Sequence, residues 1–213
     1  HRGGGEAACA KHVSRGKLLQ RYIPKGAHAA AGLPVPAAGV AGALGIEALP
    51  SVLGQRRQNR GMEAIAIRDG KIYGFVQSPL RNPVTSTNGQ LNARQTVRIV
   101  EFDPATLQTR QFLYLMDNPA STGVTDTRAD KLGDAAATPE GFLVVERDDD
   151  SLSTSDLSVI TKKVYAFSLT GATPITDAND ITYGGKTLDQ MTPAELTAAG
   201  IAPIAKALEV DLA

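Results

Sequence analysis

The sequence predicts an all-β fold built from four-stranded antiparallel sheets, and two observations predict it. Short apolar runs rich in Val, Ile, Phe and Tyr alternate with turn residues from residue 61 to residue 175. The order of these runs also repeats, since residues 133–175 follow the pattern of residues 61–116. Repeated antiparallel units of this kind are typical of β-propeller blades, and a closed propeller needs about four to eight of them. We therefore expect about two blades and the start of another, which is a fragment of a larger propeller.

The first fifty residues differ from the rest of the chain. Residues 17–24 (KLLQRYIP) have the composition of one strand that ends at a proline, and residues 26–50 are rich in Ala, Gly and Pro. We predict a loose N-terminal segment over residues 1–50, with one strand and a long loop, and the propeller region over residues 51–213.

The first repeat begins with the stretch GMEAIAIRDGKIYGFVQSPL. Residues 62–68 and 71–77 are predicted strands, and Asp69-Gly70 between them is a two-residue hairpin turn. A polar loop is expected over residues 78–95. The second hairpin of the repeat follows at residues 96–116.

The second repeat consists of residues 133–148 and 162–175. Superposing the two repeats places Glu63 opposite Asp134, and Asp69-Gly70 opposite Glu140-Gly141. One short helix is predicted near residues 193–199, because Thr192 is a suitable N-cap, Glu195 completes a capping box and Gly200 is a terminator. The final residues, IAKALEVDLA, predict the beginning of a further strand.

Composition excludes several classes of function. The 22 basic and 22 acidic residues cancel, which argues against a nucleic-acid-binding protein. Cys9 is the one cysteine, which excludes an intrachain disulfide and a cysteine-rich zinc module. No apolar run approaches the roughly 20 residues that a transmembrane helix needs. The first residue is His1, which indicates a processed or truncated chain.

Two carboxylates occupy matched positions in the repeats. The first strand of each propeller blade lines the central channel, so Glu63 and Asp134 are expected to face one mouth of it. Converging carboxylates form a hard-oxygen site that suits Ca²⁺. The alternative is that each acid ends a strand and faces water.

Further polar residues are expected at the same rim. Residues 145–150 (VERDDD) end a strand with Glu146, Arg147 and Asp148, and Gln77 ends the matching strand of the first repeat. Arginines in this setting can bind a phosphate oxygen. Three more arginines precede the strand that carries Glu63, and they could neutralise an anion or serve only solubility: Arg56, Arg57 and Arg60.

Several of these stretches together resemble the phytase-like family described as having esterase-like activity of phytase. The stretches are QRRQNRGMEAIAIRDGKIYGFVQSPL, RIVEFDPATLQTRQFLYLMD, GDAAATPEGFLVVERDD and KKVYAFSL. The resemblance implies an exported, periplasmic or secreted β-propeller that hydrolyses phosphate esters, with calcium as its cofactor. It also implies the recurrent polar positions, namely Glu63, Gln77, Asp134, Glu146, Arg147 and Asp148, and it adds Lys206.

The sequence thus predicts a calcium-dependent phosphoric-ester hydrolase that acts on a small-molecule phosphate ester. We expect Glu63, Asp134, Glu146 and Arg147 to be catalytic, and Glu63, Asp134 and Asp148 to bind the metal. The substrate-binding residues are expected to be Arg56, Arg57, Arg60, Gln77 and Lys206.

Two alternatives remain open. One is a non-catalytic propeller that serves as a binding or scaffold module of the cell envelope with structural calcium. The other is a calcium-dependent lactonase or sugar-ester hydrolase. Because two blades cannot close a ring, apolar residues such as Ile65, Ile67, Val144 and Val145 are expected to be exposed and to associate with other chains.

Overall fold

The structure, a computed structural model, describes residues 20–117, 129–148 and 161–212. The chain divides into two compact units, residues 1–48 and residues 49–213. Within the described residues the fold is mostly β, with a few short helices, as the sequence predicts. No helix in these ranges combines the length and the apolar character that crossing a membrane requires.

The first unit contains more regular structure than the sequence predicts. Strand β1 (Tyr22–Pro24) pairs with β2 (Ile46–Leu49), and helix α1 (Ala27–Ala30) lies between them in the chain. The prediction of a long loop over residues 26–50 is therefore wrong at both ends of that range. The physical reason is Glu47, which accepts hydrogen bonds from the backbone N–H groups of Gly26 and His28 and so fixes the chain around α1.

The first four-stranded sheet is an antiparallel meander within the second unit. Its strands, in spatial order, are β3 (Met62–Arg68), β4 (Lys71–Val76), β5 (Thr96–Asp103) and β6 (Gln108–Leu115). Asp69 and Gly70 both have positive φ, 50° and 74°, which confirms the predicted hairpin turn.

The second four-stranded sheet repeats this arrangement. Its strands are β7 (Lys131–Ala137), β8 (Phe142–Arg147), β9 (Lys162–Phe167) and β10 (Lys206–Asp211). The further strand predicted in the last residues is confirmed as β10, but it pairs with β9 and completes this sheet, so the expectation that it starts another blade is wrong. Gly141, in the turn matched to Asp69-Gly70, is required sterically, since an added Cβ would lie 2.0 Å from the Phe167 carbonyl oxygen.

The two sheets pack through a shared apolar core. Phe75 of the first sheet contacts Phe142 and Phe167 of the second, and Tyr114 contacts Phe167, with ring centroids 5.6–6.3 Å apart. The first strands of the two sheets, β3 and β7, lie next to each other. The described residues form these two four-stranded sheets and the β1–β2 pair, and no closed barrel or ring of blades.

The segment between β9 and β10, residues 168–205, packs on the first sheet, although β9 and β10 belong to the second. Ile175 exchanges backbone hydrogen bonds with Gln111 of the edge strand β6, and Ile204 donates to the carbonyl of Leu113. Leu188, Met191 and other apolar side chains of this segment form a buried cluster around Leu113. We call residues 168–205 the crossing segment.

Helices are short but more numerous than predicted. Helix α2 (Asn88–Asn92) lies in the expected polar loop, where Thr87 and Gln90 form a capping box. Helix α3 (Pro193–Ala198) confirms the predicted helix, and Thr192 and Glu195 form the expected capping box. The prediction of one helix is wrong, because the local cap at Thr87 stabilises a single turn that carries little apolar periodicity.

Candidate functional site

One rim of the two sheets gathers most of the predicted site residues. The N–H of Gln77 donates to the carbonyl of Gly61 at 2.9 Å, and the N–H of Leu132 donates to the carbonyl of Gln77 at 2.7 Å. The N–H of Asp130 donates to the carbonyl of Arg147 at 3.1 Å. The starts of β3 and β7 therefore meet the ends of β4 and β8, and we call this the β3–β7 rim.

Glu63 and Gln77 form a polar pair at this rim. The Gln77 side chain is buried, and its Nε2 donates to Glu63 Oε1 at 2.8 Å. Glu63 is exposed, because it alternates along β3 with the buried residues Ala64 and Ala66. The Oε1 of Gln77 is buried without a hydrogen-bond partner, as is the hydroxyl of Ser78. The rim thus offers an oriented, exposed carboxylate beside two buried polar atoms that have no hydrogen-bond partner.

The predicted arginines precede β3 in the chain and have different partners. Arg57 Nη1 donates to Asn92 Oδ1 at 3.0 Å, and Arg60 donates to Asp130 Oδ2 at 3.3 Å. Burial, followed by the positive charge of Arg60, lowers the pKa of Arg57. Arg56 is exposed. Neighbouring guanidinium groups that repel one another gain free energy when an anion lies between them.

Arg147 and Asp148 end β8 at the same rim, in different surroundings. Asp148 is buried, accepts from the N–H of Thr161 and forms an ion pair with Lys162. Arg147 Nη1 lies 3.4 Å from the Asp148 carbonyl oxygen. The Asp148 carboxylate is therefore occupied by contacts at the start of β9.

Asp134 lies on β7 with its side chain exposed, and its Oδ1 accepts from the N–H of Ala135 at 2.8 Å. Within the described ranges no three His, Cys, Asp or Glu side chains are grouped so that they could hold a metal ion. Glu63, Asp134 and Asp148 accordingly do not form such a group. Because Lys162 neutralises Asp148, this aspartate does not fit a calcium ligand, whereas the exposed carboxylates of Glu63 and Asp134 do.

A second polar cluster lies between the two sheets, around Glu146. The Glu146 side chain is fully buried, and its Oε1 accepts from the hydroxyl of Tyr114 at 2.5 Å and pairs with Lys206 Nζ. Its Oε2 accepts from the N–H of Asp117 at 2.8 Å. Both oxygens of this carboxylate are thus occupied by protein donors. Glu146 and Lys206, which were predicted to have separate roles, form one ion pair.

Asp117 extends this cluster towards solvent. Lys206 Nζ lies 2.9 Å from Asp117 Oδ1, and the hydroxyl of Tyr165 donates to Asp117 Oδ2. The Lys206 ammonium lies 3.9 Å from the Tyr165 ring centroid and 4.9 Å from that of Tyr114, which places it between two aromatic faces. Lys206 therefore bridges a buried and a partly exposed carboxylate.

The comparison with protein-family models identifies the family. A model described as phytase-like, esterase-like activity of phytase, matches residues 11–213. The chain belongs to the phytase-like family. No curated protein and no solved structure matches it.

The electrostatics of the Glu146 cluster in this phytase-like protein follow from burial. Burial raises the pKa of Glu146, and the positive charge of Lys206 opposes that rise. Burial also opposes ionisation of Asp117, but hydrogen bonds from Tyr165 and Lys206 outweigh it and lower the pKa of Asp117. Burial and the neighbouring carboxylates raise the pKa values of Tyr114 and Tyr165. Both phenols therefore stay protonated and act as hydrogen-bond donors.

Sequence reasoning missed Asp117, Tyr114 and Tyr165 in this phytase-like chain. Asp117 lies just past the end of β6, and a polar residue at a strand end was the signal that could have found it. The two tyrosines carried no such signal, because an aromatic residue within an apolar strand has the same pattern whether its hydroxyl contacts a carboxylate or water.

Proposed function

We propose that this chain is an exported, periplasmic or secreted phosphoric-ester hydrolase of the phytase-like type, with calcium as its cofactor. The observation that carries the proposal is the β3–β7 rim, where Arg60 pairs with Asp130 and the adjacent Gly61 accepts from the backbone of Gln77, the side-chain partner of Glu63. Membership of the phytase-like family supports the same reaction class.

The arginines would bind the anionic phosphoryl group of the substrate. A planar guanidinium donates two parallel N–H groups to phosphoryl oxygens, and it stabilises the negative charge that develops on them during hydrolysis. Arg57 suits this role because its neighbour Arg60 repels it, so an incoming anion relieves that repulsion. Arg147 would add a third cation at the end of β8.

Glu63 would accept a proton from the attacking water. The hydrogen bond from Gln77 Nε2 fixes one carboxylate oxygen, and the side chain is open to solvent on the outer face of β3. In the hydrolysis, the water oxygen forms a bond to phosphorus and the ester P–O bond breaks. The water thus loses one proton and the departing alcohol gains one.

Calcium belongs to this proposal at Glu63 and Asp134. In the part of the chain that the structure describes, neither carboxylate forms an ion pair with Lys, Arg or His, so both have oxygens available for a hard cation. When bound, the ion would polarise the phosphoryl oxygens of the substrate.

The test is hydrolysis of a chromogenic phosphate monoester by the chain, with and without calcium. We expect the double variant Arg57→Gln/Arg60→Gln to lower kcat/KM by about 100-fold, since charge-stabilising donors contribute on this scale. Glu63→Gln should lower kcat while leaving the structure intact. The matched control is Arg21→Gln, because Arg21 is exposed and lies in the first unit.

Two results would overturn the proposal. One is an absence of hydrolysis by the unchanged chain with or without calcium. The other is an equal loss of activity in Arg21→Gln. Calcium binding without hydrolysis would favour the alternative, a non-catalytic binding or scaffold module of the cell envelope. The surroundings of Glu146 agree with that alternative as well. Protein donors occupy both oxygens of its carboxylate, and these contacts join the two sheets.

A further inference from the structure

A separate cavity lies between the 3₁₀ turn Ser51–Gln55 and the crossing segment. Its volume is about 290 Å³, close to the lower end of the range for small-molecule sites, which is about 300–1,000 Å³. Both walls belong to the second unit, residues 49–213. The cavity shares no lining residue with the β3–β7 rim or with the Glu146 cluster.

The cavity is rich in hydrogen-bond acceptors. Asp177 and Asp180 line it, together with Gln55, Ser51 and Thr182. Carboxylate, amide and hydroxyl oxygens all accept hydrogen bonds. The occupant should therefore carry several O–H groups.

A buried arginine fixes the position of the Asp180 carboxylate. Arg98 is fully buried, and its Nη1 and Nη2 lie 2.6 Å and 3.0 Å from the two oxygens of Asp180. Each carboxylate oxygen can accept further hydrogen bonds. A carboxylate held by a bidentate arginine presents its remaining lone pairs in one orientation, which favours a ligand of defined geometry.

The charge of the lining discriminates between ligands. Two carboxylates line the cavity, and no Lys, Arg or His does so among the residues that the structure describes. A phosphate or a sulfate would be repelled here, in contrast to the arginine-rich rim. Val52 and the 53 % exposed Ile181 add an apolar wall beside the hydroxyls of Ser51 and Thr182.

We propose that this cavity binds a small neutral polyhydroxylated ligand, a single sugar or cyclic polyol unit. Such a molecule offers several O–H donors to the acceptors and a C–H face to the apolar wall, and it carries no charge that the carboxylates would repel. The proposal does not depend on the phosphoesterase activity, because it rests on other residues.

The experiment is saturation-transfer NMR on the purified chain with glucose, mannose and galactose. At least one sugar should give a saturable signal with a Kd of about 1 mM, the affinity of a small site with a few hydrogen bonds. Glucose 6-phosphate should bind at least about tenfold more weakly than glucose. Asp177→Asn should weaken sugar binding about tenfold, because it removes a charged acceptor.

A filling variant and its control make the test specific. Thr182→Trp should abolish the signal by occupying the cavity, whereas Thr106→Trp should leave it unchanged, since Thr106 is an exposed threonine in the turn between β5 and β6. The proposal is wrong if no sugar binds, if binding survives Thr182→Trp, or if glucose 6-phosphate binds as tightly as glucose. It is also wrong if the chain binds calcium and no sugar, and if Asp177→Asn abolishes that calcium binding.

Discussion

At the scale of single residues, Arg98 is the most deeply buried cation among the described residues of the second unit. It lies in β5 with its side chain fully buried, and it contacts Asp189, Asp180 and Gln111. Burial opposes its charge, but the two carboxylates outweigh burial and raise the pKa of Arg98. The guanidinium therefore stays charged and joins β5 to a part of the chain 82 and 91 residues further on.

Replacing this arginine should be costly. We expect Arg98→Met to lower the free energy of unfolding by about 3–5 kcal/mol, because it leaves the buried Asp189 without a cation. Urea denaturation measures the difference. Arg110→Met is the matched control, and we expect a loss within about 1 kcal/mol, because Arg110 is partly exposed and Lys71 still pairs with Glu101. Equal losses in both variants would contradict this account.

The site shows the limits of sequence reasoning at this scale. Glu63 and Gln77 were predicted from their positions at strand ends, and antiparallel pairing brings those two ends together. The partners of a buried charge were not predictable in the same way. Asp180 and Asp189 reach Arg98 through a long segment whose path carries no periodic pattern.

At the scale of elements, local signals predicted structure where the chemistry is local. Asp69-Gly70 specified a hairpin through its tolerance of positive φ, and the capping box at Thr192 and Glu195 specified α3. Strand β10 was misinterpreted, because five of its six residues are exposed and its pattern shows no buried face. Only its pairing with β9 defines it as the fourth strand.

The start of α3 should respond to pH through Glu195. A hydrogen bond from Lys186, then one from the N–H of Thr192, lowers the pKa of Glu195 from 4.5 to about 2. A depressed folded pKa stabilises the fold above the unfolded pKa and loses that contribution as pH falls through the folded pKa. We therefore expect Glu195→Gln to be less stable than the unchanged chain at pH 7, with the difference fading between about pH 4.5 and pH 2.

Thermal unfolding followed across this pH range measures the effect. Glu209→Gln is the control, since Glu209 is an exposed glutamate on β10. A stability difference for Glu195→Gln that stays constant from pH 7 to pH 2 would show that the loss has another cause.

At the scale of the whole molecule, β3 carries part of the exposed apolar surface of the described residues. Ile65 and Ile67 are 63 % and 71 % exposed, because they share the outer face of the strand with Glu63. Val144 was expected to be exposed with them, and this is wrong, since it is buried in the core between the sheets. Val145, on the other face of β8, is half-buried.

This surface should drive association. We expect Ile65→Lys/Ile67→Lys to reduce self-association in sedimentation velocity, because two adjacent apolar side chains on one strand face favour contact with another surface. Its control is Val84→Lys, since Val84 is 64 % exposed at a distant point in the chain. If the unchanged chain sediments as a monomer, the expectation that this face binds another chain is wrong.

The crossing segment has a consequence for how the molecule assembles. The chain leaves β9, packs along β6 of the other sheet, and returns as β10. The pairing of β10 with β9 therefore closes a long segment that also packs on the first sheet, which links the last residues to contacts made far earlier in the sequence. Such non-local topology slows folding and makes it sensitive to the order of events. Removing β10 would thus leave an edge of the second sheet open to pairing with a neighbouring molecule during synthesis.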